Sequence, residues 1–250
     1  MTPSTAPSPP HAQAAGAARA APAAPAARST PRGRTLVGYK IVMAVSGLVL
    51  LAFVVLHLLG NLKVFEGPAA YNAYAAGLRT LGTPLFGRGQ LLWLVRVVLL
   101  AALAGHLWAA TAVTRASWRA RPLPYRRLET VETTYAARTM RWGGVLILLY
   151  VIYHLLDFTF GRVNPSFVPG DVYHNVLASL REWPVAAAYM LAMIAVGLHV
   201  YHGLWSAFQT LGWNRPPTFS WRRRAAAVVA ALLTGGYLAI PAAVLAGVLR

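Results

Sequence analysis

The chain has 250 residues, 57% of them apolar and only 12% charged, with a formal net charge of +17. Together with a mean hydropathy of +0.51, this balance exceeds what a soluble domain of that length carries and points to an integral membrane protein. Cysteine is absent, which excludes disulfides, iron–sulfur clusters, thiolate metal sites and thioether-attached haem; the bases fall between apolar segments and form no aromatic-lined groove, which argues against nucleic acid.

Residues 1–35 are Ala, Pro and Ser with Arg19, Arg28, Arg32 and Arg34, a composition that predicts a disordered tail because it cannot bury enough apolar surface to offset ordering. The first apolar run begins only at Leu36 and is long enough to span a bilayer, so no cleaved secretory signal is expected. Five stretches meet the requirement of about 20 apolar residues for a spanning helix: Leu36 to Leu59, Leu91 to Val113, Trp142 to Phe160, Pro184 to Phe208 and Ala225 to Leu249. The predicted fold is therefore an all-α membrane protein, with a tail over 1–35 and a five-helix domain over 36–250.

Between the spans lie two short helical patterns. Pro68 opens one, with Tyr71, Tyr74, Ala75 and Leu78 on a single face and Gly82 as its stop; Asp171 caps the other, which presents Val172, Val176, Leu177 and Leu180. Both are expected to lie along the membrane surface. The segment Arg115 to Arg141, with Pro122 and Pro124 among its bases, reads as a polar platform for a soluble partner or anionic lipid. The tail with Lys40 carries five bases, Arg115 to Arg141 seven and Arg215 to Arg224 four, against Lys63, Arg79, Arg88, Arg162, Arg181 and Arg250 on the other side. The positive-inside rule then predicts a cytoplasmic N-terminus and an external C-terminus; the membrane is expected to be the inner membrane of a prokaryote.

One histidine recurs per span: His57, His106, His154 and one of His199 and His202, at intervals of 49, 48 and then 45 or 48 residues. Ionisable or strongly polar residues inside a membrane are retained for function. Counting about 1.5 Å per residue along antiparallel spans puts His57 and His154 in the outer half and His106 with His199 or His202 in the inner half. Two imidazole pairs at two depths are what two stacked b-type haems require inside a four-helix core. Depth slightly favours His202 over His199. Ser46, Gly47, Gly60, Gly105, Gly143, Gly144 and Gly203 leave room for a planar macrocycle, although close helix packing predicts the same small residues.

Arg96, six residues into the second span, needs an anion: a haem propionate, or Asp157. Asp157 itself is expected either to relay protons to an outer quinone site or to be the counterion of Arg96 or Arg162. Glu66 is expected as a solvated loop carboxylate, with proton delivery as its alternative. Lys40, Ser46, Trp205 and Gln209 are candidates to border a quinone headgroup, the alternative being interfacial anchoring. The fifth span has no histidine, and Gly235, Gly236 and Pro241 predict a kinked packing helix outside the haem core. His174 is expected to be solvated, and His11, in the tail, is given no role.

Lys40-Ile-Val-Met43-Ala-Val-Ser46-Gly47, Phe53-x-x-x-His57-x-x-Gly60-Asn61-Leu62, Gly67-Pro68-x-x-Tyr71-Asn72-x-Tyr74 and Leu198-His199-x-x-His202-Gly203-x-Trp205-Ser206-x-x-Gln209-Thr210-Leu211-Gly212 together resemble the single-subunit, two-haem cytochrome b anchor of succinate dehydrogenase and fumarate reductase complexes. The likeness runs from about Leu36 to Arg215. It implies a subunit that binds a flavoprotein and an iron–sulfur protein on the cytoplasmic face and passes electrons between them and a quinone, expected to be menaquinone. The dicarboxylate site would lie on a partner subunit, and an oligomer of the whole complex is compatible with this arrangement. The resemblance also implies His57 with His154 on the outer haem and His106 with His199, rather than His202, on the inner. Two other classes compete: the cytochrome b subunit of a hydrogenase or formate dehydrogenase, and a non-redox channel or transporter whose histidines relay protons.

Overall fold

A computed structural model describes residues 36–119, 133–213 and 219–250. The tail, the middle of the Arg115 to Arg141 platform and Arg215 lie outside these. Among the described residues there is no strand. The order is α1 (Leu36–Asn61), a 3-10 turn (Leu62–Glu66), α2 (Pro68–Gly77), α3 (Gln90–Arg119), α4 (Thr133–His154), a π-helical turn (Leu155–Thr159), α5 (Val172–Arg181), α6 (Trp183–Thr210) and α7 (Phe219–Leu245). Five of these helices are long and apolar enough to cross a membrane. Each covers one of the five expected spans, but α3 runs six residues past Val113, α4 starts nine before Trp142, and α7 starts six before Ala225 and stops four before Leu249. The early start of α7 is physical, because arginine is a good helix former and Arg222 to Arg224 extend the helix beyond its apolar part.

The end of α7 is a Schellman motif: Gly247 has φ of 70°, its N–H donates to Val244 O, and the Val248 N–H donates to Ala243 O. This reversal buries Leu249. α1 packs on α3 and α6, α4 on α6, and α7 on α6 and α1. The α6–α7 contact is close at Gly197, where a Cβ would overlap Thr234 Oγ1, so glycine sets this crossing.

The end of the bundle bearing α2 and α5 is here termed the cap end. α2 begins at Pro68 as expected but ends at Gly77, before Gly82, which instead takes φ of 84° within a turn. α5 is capped as expected, the Asp171 carboxylate accepting from His174 N–H at 3.0 Å. Val176, Leu177 and Leu180 are buried together with Val64, Tyr71, Tyr173, Tyr189, Ile240 and Val244, so α5 forms a lid over the bundle end.

An amide clasp joins the two short helices. Asn72 Nδ2 donates to Asp171 Oδ1 at 2.9 Å and Asn72 Oδ1 accepts from Tyr173 N–H at 3.0 Å, while Tyr71 donates to Asn61 Oδ1 at 2.7 Å. The His174 N–H, and after it the Asn72 amide, hold the Asp171 carboxyl below its ordinary range. A carboxylate with a depressed folded pKa stabilises above its unfolded value, and that contribution vanishes as pH falls through the folded value. Hydrogen exchange at the His174 amide is therefore expected to stay slow through the range in which a free aspartate protonates and to quicken, relative to the intrinsic rate, only at lower pH.

Candidate functional site

The bundle brings the expected histidines together in two pairs. His57 of α1 faces His154 at the end of α4, with ring centres 5.9 Å apart and planes at 84°. His106 of α3 faces His199 of α6 at 6.2 Å and 60°. His202, three residues further along α6, instead packs its ring on Trp205 at 5.8 Å. Gly47 touches the His106 ring, and ten residues separate it from His57, so the two pairs lie about 15 Å apart along α1.

The His106 tautomer follows from its neighbours. Ser46 Oγ has a single proton and lies 2.6 Å from Val42 O, the shortest acceptor available to it. His106 Nδ1 lies 3.1 Å from Met43 O and 3.3 Å from Ser46 Oγ. A carbonyl can only accept, so Nδ1 carries the ring proton and Nε2 keeps a free lone pair, the state a metal ligand needs. Ser46 thus belongs to the support of His106. A Cβ on Gly47 would stand 3.2 Å from His106 Cε1, so the glycine makes space for this ring. Gly47→Leu is expected to displace the His106 ring from His199, and, were a metal held between them, to abolish its binding at this pair alone, as absorption spectra of the purified variant would show.

The other glycines divide between the two expectations, close helix packing and open room. Gly144 lies against His199, where a Cβ would be at 4.0 Å from Cε1, whereas a Cβ on Gly60 would meet the Tyr74 hydroxyl at 2.5 Å. Gly60 therefore serves the α1–α2 junction, and Gly105 faces Val42. Gly143 and Gly203 face open space.

The donor set can be tested against a metal. Among the described residues no cluster of three or more His, Cys, Asp or Glu could hold an ion, so a site built wholly from protein ligands is not available there. A haem supplies four equatorial nitrogens and asks the protein for two axial ligands. With imidazole–metal bonds of about 2 Å and each ring centre roughly 1 Å behind its nitrogen, two axial imidazoles stand about 6 Å apart. Both pairs have this separation. In addition, the Nδ1 atoms of His154 and His199 are buried without a hydrogen-bond partner, so no hydrogen bond at that nitrogen sets their orientation.

Aromatic rings surround the first pair. Phe53 stacks on His57 at 5.2 Å; Tyr150, Phe158 and Tyr189 lie 5.7, 5.5 and 6.1 Å from His154. Tyr237 of α7 stands 6.4 Å from His57. The sequence offered no signal for the last contact beyond a tyrosine at matching depth, and the fifth helix therefore touches a region from which it was expected to be absent.

Asp157 is 1% exposed. Its Oδ2 accepts from Ser179 Oγ at 2.6 Å and from the Tyr189 hydroxyl at 2.8 Å, while Oδ1 has no partner. It is the counterion of neither Arg96 nor Arg162, because the π-helical turn rotates its carboxylate toward α5 and α6. Arg96 lies exposed over the Trp93 ring at 4.9 Å and meets no carboxylate among the described residues. Glu66 pairs with Lys63 at 3.1 Å in an exposed position. His174 is exposed, its Nε2 3.0 Å from Ser166 O.

Lys40 and Gln209 share an open cleft of about 300 Å³ with Val37, Met43, Ser206 and Thr210. Trp205, which packs on His202, does not line it, and neither does Ser46. All four described carboxylates, those of Glu66, Asp157, Asp171 and Glu182, belong to the cap end, whereas Lys40, Arg115, Arg119, Arg141 and Arg222 to Arg224 belong to the opposite end. No family model matches the chain, and no curated protein or solved structure matches it either. Fold and site define a multi-pass helical membrane protein with two half-buried imidazole pairs.

Proposed function

We propose that the chain is the membrane-anchor and electron-transfer subunit of a succinate:quinone oxidoreductase in a prokaryotic inner membrane. The observation that carries this reading is the pairing of four histidines from four helices at two levels, each pair at the separation two axial ligands need. His57 and His154 would hold one b haem, His106 and His199 the other. When bound, these groups would supply two one-electron carriers.

The residues of the chain do the rest. Met43 O and Ser46 fix the ring proton of His106 on Nδ1. The aromatic wall of Phe53, Tyr150, Phe158 and Tyr189 keeps water from the cap-end pair and lowers the local dielectric. The basic end, facing the cytoplasm by the positive-inside rule, suits docking of the iron–sulfur and flavin subunits, which carry the dicarboxylate chemistry. Lys40 and Gln209 supply donors to a quinone carbonyl in their cleft. Arg96 remains a candidate partner of a propionate.

Gentle purification from native membranes tests the assignment. The expected result is co-purification of a flavin-bearing and an iron–sulfur subunit with succinate-dependent quinone reduction. Recovery with a nickel or molybdenum enzyme would overturn it.

A further inference from the structure

We infer that Tyr237 of α7 is a positioning residue for the cap-end imidazole pair, so that the fifth helix tunes one redox centre and not the other. The inference rests on the two-haem reading but concerns residues that reading leaves unused. Three observations meet at one turn of α1. The Tyr237 hydroxyl donates to Val54 O at 2.8 Å. The Tyr237 ring lies 6.4 Å from His57, tilted by 43°. One residue away, a Cβ on Gly236 would stand 2.8 Å from Leu58 Cδ2, so α7 is seated against α1 as closely as glycine permits.

Val54, His57 and Leu58 lie on one stretch of helix, since residues three and four apart share a face. The Val54 carbonyl is the helix acceptor for the Leu58 N–H. A second donor at that oxygen ties the turn carrying His57 to α7. Phe53 stacks on one side of the imidazole at 15° and His154 meets it edge-on, so the Tyr237 ring completes a three-sided restraint on its rotation. Among the described residues, no ring of α7 contacts His106 or His199. The relative orientation of two axial rings governs the electron paramagnetic resonance of a low-spin haem, and ligand surroundings govern its potential. The influence of Tyr237 is therefore confined to the His57–His154 centre.

The test uses the intact, membrane-extracted complex and two variants. Tyr237→Phe keeps the ring and deletes the hydroxyl; Gly236→Ala keeps the hydroxyl and crowds the Leu58 side chain next to His57. Haem per polypeptide is measured first, then low-temperature electron paramagnetic resonance and a redox titration. The expected result is unchanged haem content, a shifted signal and midpoint potential for one haem, and the other haem as in the wild type, in both variants. Wild-type signals and potentials for both haems in Tyr237→Phe would overturn the inference, as would equal shifts in both. If Tyr237→Phe fails to accumulate, Gly236→Ala decides by the same criteria. A wild-type protein without haem would sink the two-haem reading itself, a result distinct from either.

Discussion

Alanine at His57 or His154 is expected to remove one b haem and leave the second, while alanine at His106 or His199 removes the second and leaves the first. Loss of one of two axial ligands opens the coordination sphere, and the vacated position of an apolar span offers no replacement donor. For the His106 pair the nearest substitute is His202, but its ring is turned onto Trp205. His202→Ala is therefore expected to retain both haems. Reduced-minus-oxidised spectra of the five purified variants check this, each loss halving the absorbance per polypeptide. Retention of both haems by His199→Ala, with loss of one by His202→Ala, would reverse the ligand assignment.

The second large effect concerns stability. Asp157→Ala is expected to destabilise the bundle by about 2–4 kcal/mol, because it leaves the buried Ser179 and Tyr189 hydroxyls without their acceptor and opens a small void. The carboxylate joins the π-helical turn after α4 to α5 and α6, so its loss loosens the lid from the bundle. Thermal unfolding in detergent measures the change. The double variant Asp157→Ala with Tyr189→Phe should be less destabilised than the two single effects added, since both remove one bond. Strict additivity would mean that the Tyr189 contact carries no energy.

The spans were legible because twenty-residue apolar runs leave little choice of structure in lipid. The histidine pairing was legible too, since opposite-running helices convert sequence intervals into depth. Depth alone nonetheless favoured His202 over His199. Rotation about the α6 axis, which a count of residues along that axis does not contain, turns His199 toward His106 instead. The same limit explains Asp157. Its position one turn after His154 admits an arginine partner as readily as a proton relay, yet a single extra residue in a π-helical turn directs the side chain away from both arginines, and no local propensity marks that insertion. α2 ends at Gly77, five residues before Gly82, because the chain passes into a turn there and Gly82 supplies its left-handed residue within that turn. Tyr237 was invisible for another reason: the fifth span lacks ligands, and only the close approach allowed by Gly236 shows which helix it serves.

The pyridine haemochrome of the purified wild-type chain, normalised to protein by amino-acid analysis, tests the central claim most directly. The expected result is two b haems per polypeptide. A colourless preparation, folded and with its helical content intact yet holding no haem, would contradict it.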